Sequence, residues 1–271
     1  MTAEPGVRPS RLARQADRRD ALGGAVLAAG TVRIEDLAAQ FGVSVMTVHR
    51  DLDQLESQGV LRKLRGVATA SPAGEADADR EFESRRAEKE ALARACGEFI
   101  EPGQALLLDD STTVRHLAPV LRAKAPLTVI TNALPLINEL RKAARITLVA
   151  LGGTYHPWPS SFLGRNTLDE IGQLHADLFV TSAPAIVDGV GFHRRLEAVG
   201  VERAMFESSA KRILLADHAK FERRALYALA PLADFDVVIT DWGTPAGQVA
   251  RLRNRGVNLV VAPPEGPTGT D

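Results

Sequence analysis

Apolar residues near the start of the chain recur at helical spacing in three short stretches. The stretch 34–41 has them at positions i, i+3, i+4 and i+7, namely Ile34, Leu37, Ala38 and Phe41. Such spacing puts the apolar side chains on one buried face of a helix. The same criterion predicts helices over 15–29 and 45–58. The turn-rich stretch 59–70 that follows is typical of a β-hairpin.

A tight turn separates the second and third of these helices. Gly42 can adopt a positive φ angle, and the Ser44 hydroxyl can cap the helix that follows. The core side of that helix is predicted to carry Val45, Val48, Leu52 and Leu55. Thr47 and Arg50 then face outward. Three helices, a turn and a hairpin in this order predict a winged helix-turn-helix, whose second motif helix enters the major groove of DNA.

Polar and basic residues of the third helix and the hairpin are expected to contact DNA. Arg50 lies at the centre of the predicted outward face, and basic hairpin residues can lie along the phosphates. The predicted DNA-binding residues are Ser44, Thr47, His49, Arg50, Arg62, Lys63 and Arg65. Periodicity alone is equally compatible with a helical hairpin that carries solvated charges.

The pattern changes beyond residue 80. A long amphipathic helix is predicted over 80–100, and short apolar runs then alternate with helical patterns. The runs are 105–109, 127–131, 146–150, 178–181, 213–216, 237–240 and 257–261. Continuous apolar runs separated by helices indicate a buried, mostly parallel sheet. The fold class is therefore α/β, with an N-terminal winged helix-turn-helix joined to a C-terminal α/β domain.

The domain boundaries follow from composition. The small, polar stretch 71–79, which contains Pro and Gly, is predicted to be a linker between a DNA-binding domain, 1–70, and an effector domain, 80–262. The last residues, 263–271, are predicted to be a disordered tail.

Composition narrows the class of protein. The net charge of −1 argues against indiscriminate binding to nucleic acid. The chain has no apolar run of membrane-spanning length, and its polar N-terminus lacks a secretory pattern, so we expect a cytoplasmic protein that does not contact a membrane. The single cysteine, Cys96, excludes disulfide and zinc frameworks. No metal, no cofactor and no catalytic residue is predicted.

A candidate anion site follows the first apolar run of the effector domain. Asp109 and Asp110 precede three hydroxyl residues, Ser111–Thr113, and a helix is predicted from near Val114. Hydroxyls, free backbone N–H groups and the helix dipole can together bind a phosphate, while the carboxylates can accept hydrogen bonds from sugar hydroxyls. The competing interpretation of the same residues is an ordinary helix cap.

Other polar residues follow the carboxyl ends of further predicted strands. Parallel sheets bind ligands at that edge, so these residues are expected to line a common crevice. In this crevice the Lys220 amine could contact the phosphate, and Asp217 could orient that amine. The predicted effector-binding residues are Asp109, Asp110, Ser111, Thr112, Thr113, Asn132, Gly152, Gly153, Asp217 and Lys220.

Both halves of the chain resemble the DeoR regulators. Val43-Ser44 and the run Thr47-Val-His-Arg-Asp-Leu52 are similar to the turn and recognition helix of that family. His49 stands where the family has Arg, and Val67 stands at the second wing Gly.

The effector half resembles the DeoR effector domain over nearly all of 80–262. The matching segments are Asp109 to Thr113, Thr131 to Ala133, Leu151 to Gly153, Ser161 to Gly164, Leu215 to Phe221 and Ile239 to Asp241. The resemblance implies a fold similar to ribose-phosphate isomerases and glucosamine-phosphate deaminases, and a sugar-phosphate ligand. Ser111 replaces the usual Gly, and Glu202 replaces the usual Lys.

These features favour a transcription regulator, a repressor of a carbohydrate operon controlled by a phosphorylated sugar. Its expected partners are an operator in double-stranded DNA, the sugar phosphate and further copies of the chain. A sugar-phosphate isomerase or deaminase is the alternative, with Asp109, Asp110 or Glu197 as general base. A protein-interaction module with a vestigial pocket is the third possibility.

Overall fold

The structure is a computed structural model that describes residues 18–19, 21–26, 29–57, 61–70 and 81–265. The chain divides into two compact units, Met1–Pro72 and Ala73–Asp271. The predicted linker, 71–79, lies outside the described residues, and so do residues 266–271 of the predicted tail. The domain boundaries therefore stay predictions.

The N-terminal unit is a small helical core with a three-stranded antiparallel sheet. Its elements are α1 (helical residues 18–19, 21–26 and 29), β1 (Thr31–Arg33), α2 (Ile34–Phe41), α3 (Val45–Ser57), β2 (Leu61–Leu64) and β3 (Val67–Ala70). The sheet order is β1-β3-β2. The predicted helix 34–41 and the hairpin are confirmed, whereas strand β1 was not predicted, because three residues carry no readable alternation.

Apolar faces of the three helices meet the sheet in one core. Its buried members are Leu22, Val26, Ile34, Leu37, Ala38, Val48, Leu52, Leu55, Leu61 and Ala68. The expectation that Val45 belongs to this core is wrong, since 42% of Val45 is exposed. Val45 is the first residue of α3, and the helix starts beyond the edge of the core.

The C-terminal unit is built around a seven-stranded parallel sheet. Its strands are β4 (Ala105–Leu108), β5 (Leu127–Thr131), β6 (Ile146–Ala150), β9 (Ala176–Thr181), β12 (Ser209–Ala216), β14 (Val237–Asp241) and β15 (Leu259–Ala262). The order is β15-β14-β12-β9-β4-β5-β6, and each neighbouring pair is parallel. All seven apolar runs are strands of this sheet, so the predicted fold class is confirmed.

Helices cover both faces of the sheet. They are α4 (Arg86–Gly97), α5 (Thr112–Arg115), α6 (Ala118–Ala123), α7 (Leu134–Leu140), α8 (Arg165–Ile171), α9 (Leu196–Glu207) and α10 (Ala246–Asn254). Side chains alternate between the faces of a strand. Accordingly, Leu106 and Leu108 pack with the cluster under α4–α7, while Leu107 packs on the other side with residues of α8 and α9.

Two small antiparallel elements flank the main sheet. A hairpin joins β7 (Thr154–His156) to β8 (Ser161–Leu163). A second sheet has the order β10-β11-β13, with β10 (Ala185–Val187), β11 (Val190–His193) and β13 (Tyr227–Pro231). These short strands were not predicted from the sequence, and they bring side chains to the edge where β4, β9 and β12 end.

The predicted helix 80–100 is interrupted. Residues 81–83 are helical, and the chain breaks at Ser84 and Arg85 before α4 begins. Arg85 has a φ angle of 50°, in the left-handed region that non-glycine residues rarely adopt. The buried Lys89 ammonium donates hydrogen bonds to the carbonyl oxygens of Glu81 and Phe82, which holds the segment before the break against the rest of the unit.

Candidate functional site

The turn of the helix-turn-helix has the geometry that its sequence predicts. Gly42 adopts φ 61° at the end of α2, and its N–H group donates to the carbonyl oxygens of Ala38 and Ala39. The Ser44 hydroxyl accepts a hydrogen bond from the Thr47 N–H at 3.2 Å and lies 2.8 Å from the Thr47 hydroxyl. Ser44 is therefore engaged as the cap of α3, and its hydroxyl also positions that of Thr47.

Helix α3 buries one face and exposes the other. Val48 and Leu52 are fully buried, whereas 63% of Met46 is exposed and Arg50 lies on the same open side. His49 is half-buried at the flank of this surface. The described side chains thus leave the Arg50 side chain accessible to a macromolecular ligand such as DNA.

The three basic residues of the hairpin, two on β2 and one in the turn, are placed differently. Arg62 and Arg65 are exposed. Lys63 instead forms an ion pair with Asp53 of α3, and its backbone N–H donates to the Glu56 carboxylate at 2.7 Å. Lys63 therefore fastens the hairpin to α3 as well as adding charge to the surface.

A buried carboxylate fixes α3 against α1. Asp51 is 1% exposed and lies 2.8 Å from Nε of Arg18 and 3.8 Å from Nε of Arg19. The sequence does not predict a buried role for Asp51, because a charged residue in a helix is usually solvated. These ion pairs fix the position of α3 relative to α1.

A pocket of the C-terminal unit lies where the neighbouring strands β4, β9 and β12 end. It contains about 680 Å³ of empty space, including its open mouth. One wall is the loop Asp110 to Thr113, and another carries Glu81, Lys220 and Arg223. The end of strand β11 contributes His193, the two residues after it contribute Arg194 and Arg195, and helix α9 contributes Glu202. Trp158 and Pro159 of the β7–β8 hairpin line it as well.

The loop after β4 is organised by Asp109. The Ser111 N–H and hydroxyl donate to one Asp109 oxygen at 3.0 and 2.7 Å. The Thr181 hydroxyl and the Ser182 N–H donate to the other at 2.6 and 2.9 Å. Burial and the neighbouring Asp110 raise the pKa of Asp109 to about 6, against these hydrogen bonds. Asp109 thus holds the loop from beneath.

Ser111 is the cap of the helix that follows. Its hydroxyl accepts from the Val114 N–H at 3.1 Å, so α5 starts at Thr112, two residues earlier than predicted. The helix has four residues, so its dipole is much weaker than that of the longer helix expected from the sequence. The N–H groups of Thr112 and Thr113 are in the first turn and have no partner within the helix. Charged side chains of the pocket must supply most of any attraction for an anion.

Two cations of the pocket share one carboxylate. Oε1 of Glu81 lies 3.3 Å from Nη1 of Arg223 and 3.9 Å from Nζ of Lys220. Lys220 is 6% exposed and is also 3.7 Å from the buried Asp217. Burial acts to raise the pKa of Glu81, but Lys220, Arg223 and Lys89 outweigh it and lower the pKa. Glu81 is therefore held as a charged carboxylate.

An acidic group lies elsewhere in the same pocket. Glu202 is 3% exposed, and its Oε2 has no hydrogen-bond partner among the described residues. Burial raises the pKa of Glu202 well above its usual value, and the charges of Asp109 and Asp110 raise it further. Burial likewise raises the pKa of Asp110. Its surroundings thus favour the protonated form of Glu202.

His193 is the neighbour of Glu202 on the β11 side. Its Nδ1 lies 3.0 Å from the Arg195 backbone nitrogen and 3.3 Å from the Arg195 carbonyl oxygen. Nε2 lies 3.7 Å from Oε1 of Glu202. Burial lowers the pKa of His193 to about 4, so the ring is neutral near pH 7.

Lys89 connects the pocket loop to the start of the unit. Its Nζ donates to the Thr112 hydroxyl at 3.1 Å as well as to the carbonyl oxygens of Glu81 and Phe82. Burial and the neighbouring Lys220 lower the pKa of Lys89 to about 8. The ring of Phe82 stacks on His116 with centroids 4.2 Å apart.

Family profiles match both units of the chain. Residues 84–242 match the DeoR C terminal sensor domain, and 18–72 match the DeoR-like helix-turn-helix domain. The chain belongs to the DeoR family. The resemblance inferred from the sequence is confirmed, and the C-terminal unit is hereafter called the sensor domain.

Relatives of this DeoR protein include named repressors. The transcriptional repressor AccR of Agrobacterium fabrum is 33% identical, over 77% of this chain and 82% of its own. The glycerol-3-phosphate regulon repressor of Escherichia coli (strain K12) is 29% identical, over 91% of this chain and 98% of its own. Both matches cover more than three quarters of this chain.

Among solved structures, ribose 5-phosphate isomerase A from Methanocaldococcus jannaschii is similar with a TM-score of 0.36 and 14% identity. The match covers 49% of this chain and 53% of the isomerase. This DeoR chain therefore spans about half the length of that enzyme.

Within the described residues, no helix combines the length and apolar character needed to cross a bilayer.

The sensor domain brings half of the predicted effector-binding residues to one pocket. These are Asp110, Ser111, Thr112, Thr113 and Lys220. The other five predicted residues do not line it. They are Asp109, Asn132, Gly152, Gly153 and Asp217.

Those five residues have structural partners. The Asn132 amide donates to the Phe162 carbonyl at 3.0 Å, and the Gly152 N–H donates to Glu170 at 2.9 Å. Gly153 has φ 142°, and a Cβ atom at this position would collide with the Thr167 hydroxyl and the Leu163 carbonyl oxygen. Asp217 caps the turn after β12. A role of these residues in effector binding, and of the seven predicted residues in DNA binding, stays a prediction.

Several residues of the pocket were not predicted. Glu81 lies in a segment whose sequence predicts a continuous helix, and Arg223 lies in a loop without a pattern. His193 is the last residue of strand β11, and Arg194 and Arg195 follow it. A run of three basic residues directly after Gly-Phe is the sequence signal that would have revealed them.

Proposed function

We propose that this DeoR protein is a DNA-binding repressor of a carbohydrate operon, and that a phosphorylated sugar in the sensor pocket controls its affinity for the operator. The relatives support the repressor part, since two are named as repressors and one acts on a glycerol-3-phosphate regulon. Arg50 and its neighbours on α3 are the proposed groove-facing residues.

The observation that carries the phosphate proposal is the charge balance of the pocket. Lys220, Arg194, Arg195 and Arg223 face a cavity whose carboxyl groups Asp110 and Glu202 have raised pKa values. Near neutral pH the pocket lining therefore tends towards a net positive charge, and Glu81 is the carboxylate of that lining that pairs with both Lys220 and Arg223. A phosphate offers more negative charge and more acceptor oxygens than that one carboxylate.

Binding of a phosphate would then displace Glu81 from Lys220 and Arg223. Glu81 follows Ala70, the last residue of the hairpin, by eleven positions in the sequence. A ligand that releases this segment changes the part of the sensor domain that leads to the DNA-binding domain. By linkage, ligand and operator must alter each other's affinity by the same factor.

Operator binding in the presence of sugar phosphates tests the proposal. DNA selected from a random library by the full-length protein is labelled, and its affinity is measured by fluorescence anisotropy at fixed salt. Pentose, hexose and triose phosphates are compared with their unphosphorylated forms. We expect one phosphate ester to change operator affinity by about 5- to 150-fold and its free sugar to have little effect.

Lysine variants provide the matched control for the pocket. Lys220→Met should remove the response to the phosphate, whereas Lys211→Met, which removes an exposed lysine of β12, should retain it. Equal responses to phosphorylated and free sugars would contradict the proposal. Conversion of a sugar phosphate by the protein would favour the isomerase or deaminase hypothesis instead, with Asp110 as the base inside the pocket.

We also propose that the protein acts as a homo-oligomer. Helix-turn-helix regulators commonly place two recognition helices on two half-sites about one DNA turn apart. Light scattering of the protein alone and on its selected DNA tests this, and a monomer on a single half-site would contradict it.

A further inference from the structure

The Glu202 side chain leaves a hydrogen-bonding capacity unused inside the pocket. Its Oε2 is buried and has no partner among the described residues, although the side chain lines the cavity. Leaving a buried polar atom without a partner costs about 1–3 kcal/mol. Natural proteins rarely retain such an atom, and a missing ligand is one of the usual reasons.

Glu202 is also surrounded by groups that make a carboxylate unfavourable there. The charges that act on it are those of Asp109 and Asp110 in the loop after β4. His193 of β11, 3.7 Å away, is neutral near pH 7 because burial lowers its pKa to about 4. Among the described residues, cations therefore pair with Glu81, whereas the charges that act on Glu202 are those of carboxyl groups.

We infer that the sensor ligand carries a primary amine as well as a phosphate, and that Glu202 is the specificity-determining residue that recognises the ammonium group. This inference rests on the proposed function and names the ligand class as an amino sugar phosphate. In this arrangement the phosphate meets Lys220 and Arg223, and the ammonium group meets Glu202 and Asp110.

An ammonium group satisfies the acidic side of the pocket better than a hydroxyl does. A hydroxyl group can donate a hydrogen bond to Oε2, but it leaves the electrostatic repulsion among Glu202, Asp110 and Asp109 unchanged. An ammonium group donates to the same oxygen and, through its charge, stabilises the ionised carboxylates. Its charge also matches the separation of acidic and basic groups within the one cavity.

Calorimetry on the full-length protein tests the inference. The probes are 2-amino-2-deoxyhexose 6-phosphates of gluco, galacto and manno configuration, each compared with its hydroxyl counterpart and its N-acetyl derivative. We expect at least one amine to bind tenfold or more tightly than both counterparts. The hydroxyl counterpart is close to the amine in shape but carries no charge, so it tests the charge, while the N-acetyl derivative retains the nitrogen but replaces the charged amine with a larger neutral amide.

The variant Glu202→Gln keeps the size of the side chain and removes its capacity for negative charge. It should bring the ratio of amine to hydroxyl affinity close to one while changing the affinity of the hydroxyl compound less than threefold. The matched control is Glu207→Gln, an exposed residue of the same helix, which should retain the wild-type ratio. Thermal unfolding of both variants verifies the fold.

Proton release provides a second readout that a structural role of Glu202 would not change. In the free pocket the raised pKa favours protonated Glu202, and a bound ammonium group lowers that pKa, so binding should release protons to the buffer. The release is measured from the binding enthalpy in buffers of different ionisation enthalpy between pH 5 and 8. Glu202→Gln should diminish it.

The outcomes separate the inference from the proposed function. If hydroxyl and amino sugar phosphates bind equally well, or if Glu202→Gln retains the amine preference, the inference is overturned and the phosphate proposal stands. If no phosphorylated compound binds, both are overturned.

Discussion

Replacing Glu81 by Gln should make the pocket bind phosphate more tightly. The wild-type carboxylate occupies the cations that the ligand needs, at 3.3 Å from Arg223 and 3.9 Å from Lys220. Glutamine retains the shape and a hydrogen-bond acceptor but removes the charge. The ligand then no longer has to displace a competing anion.

The size of the effect follows from the exposure of the three side chains. Lys220 is 6% exposed, Arg223 is 23% exposed and Glu81 is 32% exposed. Fully exposed ion pairs contribute about 0.2–1 kcal/mol, and hydrogen bonds to charged groups contribute about 1.5–3 kcal/mol. A partly screened pair between these limits is worth about 1–2 kcal/mol, which corresponds to roughly a 5- to 30-fold gain in phosphate affinity.

Calorimetry with the sugar phosphate that alters operator binding measures the gain, and Glu83→Gln is the control. Glu83 lies two residues away, is 58% exposed, and pairs with Arg86 outside the pocket. In addition, ligand-free Glu81→Gln should shift operator affinity in the direction that the ligand shifts the wild type. Unchanged or weaker phosphate binding in Glu81→Gln would refute the reasoning that Glu81 competes with the ligand.

Three further predictions concern the DNA-binding domain. Arg50→Ala should weaken operator binding by about 1–3 kcal/mol without loss of fold, whereas Arg165→Ala, the same charge change on the exposed surface of α8, should leave gel-shift affinity unaltered. His49→Arg should tighten binding and steepen the slope of log affinity against log salt by about one unit, and parallel slopes would show that position 49 does not reach a phosphate. Gly42→Ala should lower the stability of the N-terminal unit by about 1–2 kcal/mol because φ is 61° there, while Gly24→Ala, at an exposed position of helix α1, should raise it by about 1 kcal/mol in denaturant unfolding.

The architecture was predictable where one periodicity dominates a segment. Helix α2 matches its predicted bounds because four apolar residues fall on one face of it. The seven strands were found because both faces of a parallel sheet are buried, which makes runs such as Leu127–Thr131 continuously apolar. In both cases the signal is local in sequence and needs no knowledge of partners.

The pocket was only partly predictable, because its chemistry depends on contacts between distant residues. Lys220 follows a main strand and was identified from that position. Glu81 and Arg223 face each other although 142 residues separate them, and neither segment has a pattern that predicts the contact. Likewise, the sequence shows Glu202 as a charged residue, whereas burial and two nearby carboxylates favour its neutral form.

The attachment of Lys89 bears on how this sensor can be joined to other proteins. One buried ammonium group donates to Glu81, Phe82 and Thr112, so residues upstream of α4 belong to the folded sensor domain. A fusion that starts the sensor at Arg86 would strip two carbonyl acceptors from a lysine with no exposed surface. Biosensors that place this domain behind a different DNA-binding module should therefore be spliced before Glu81.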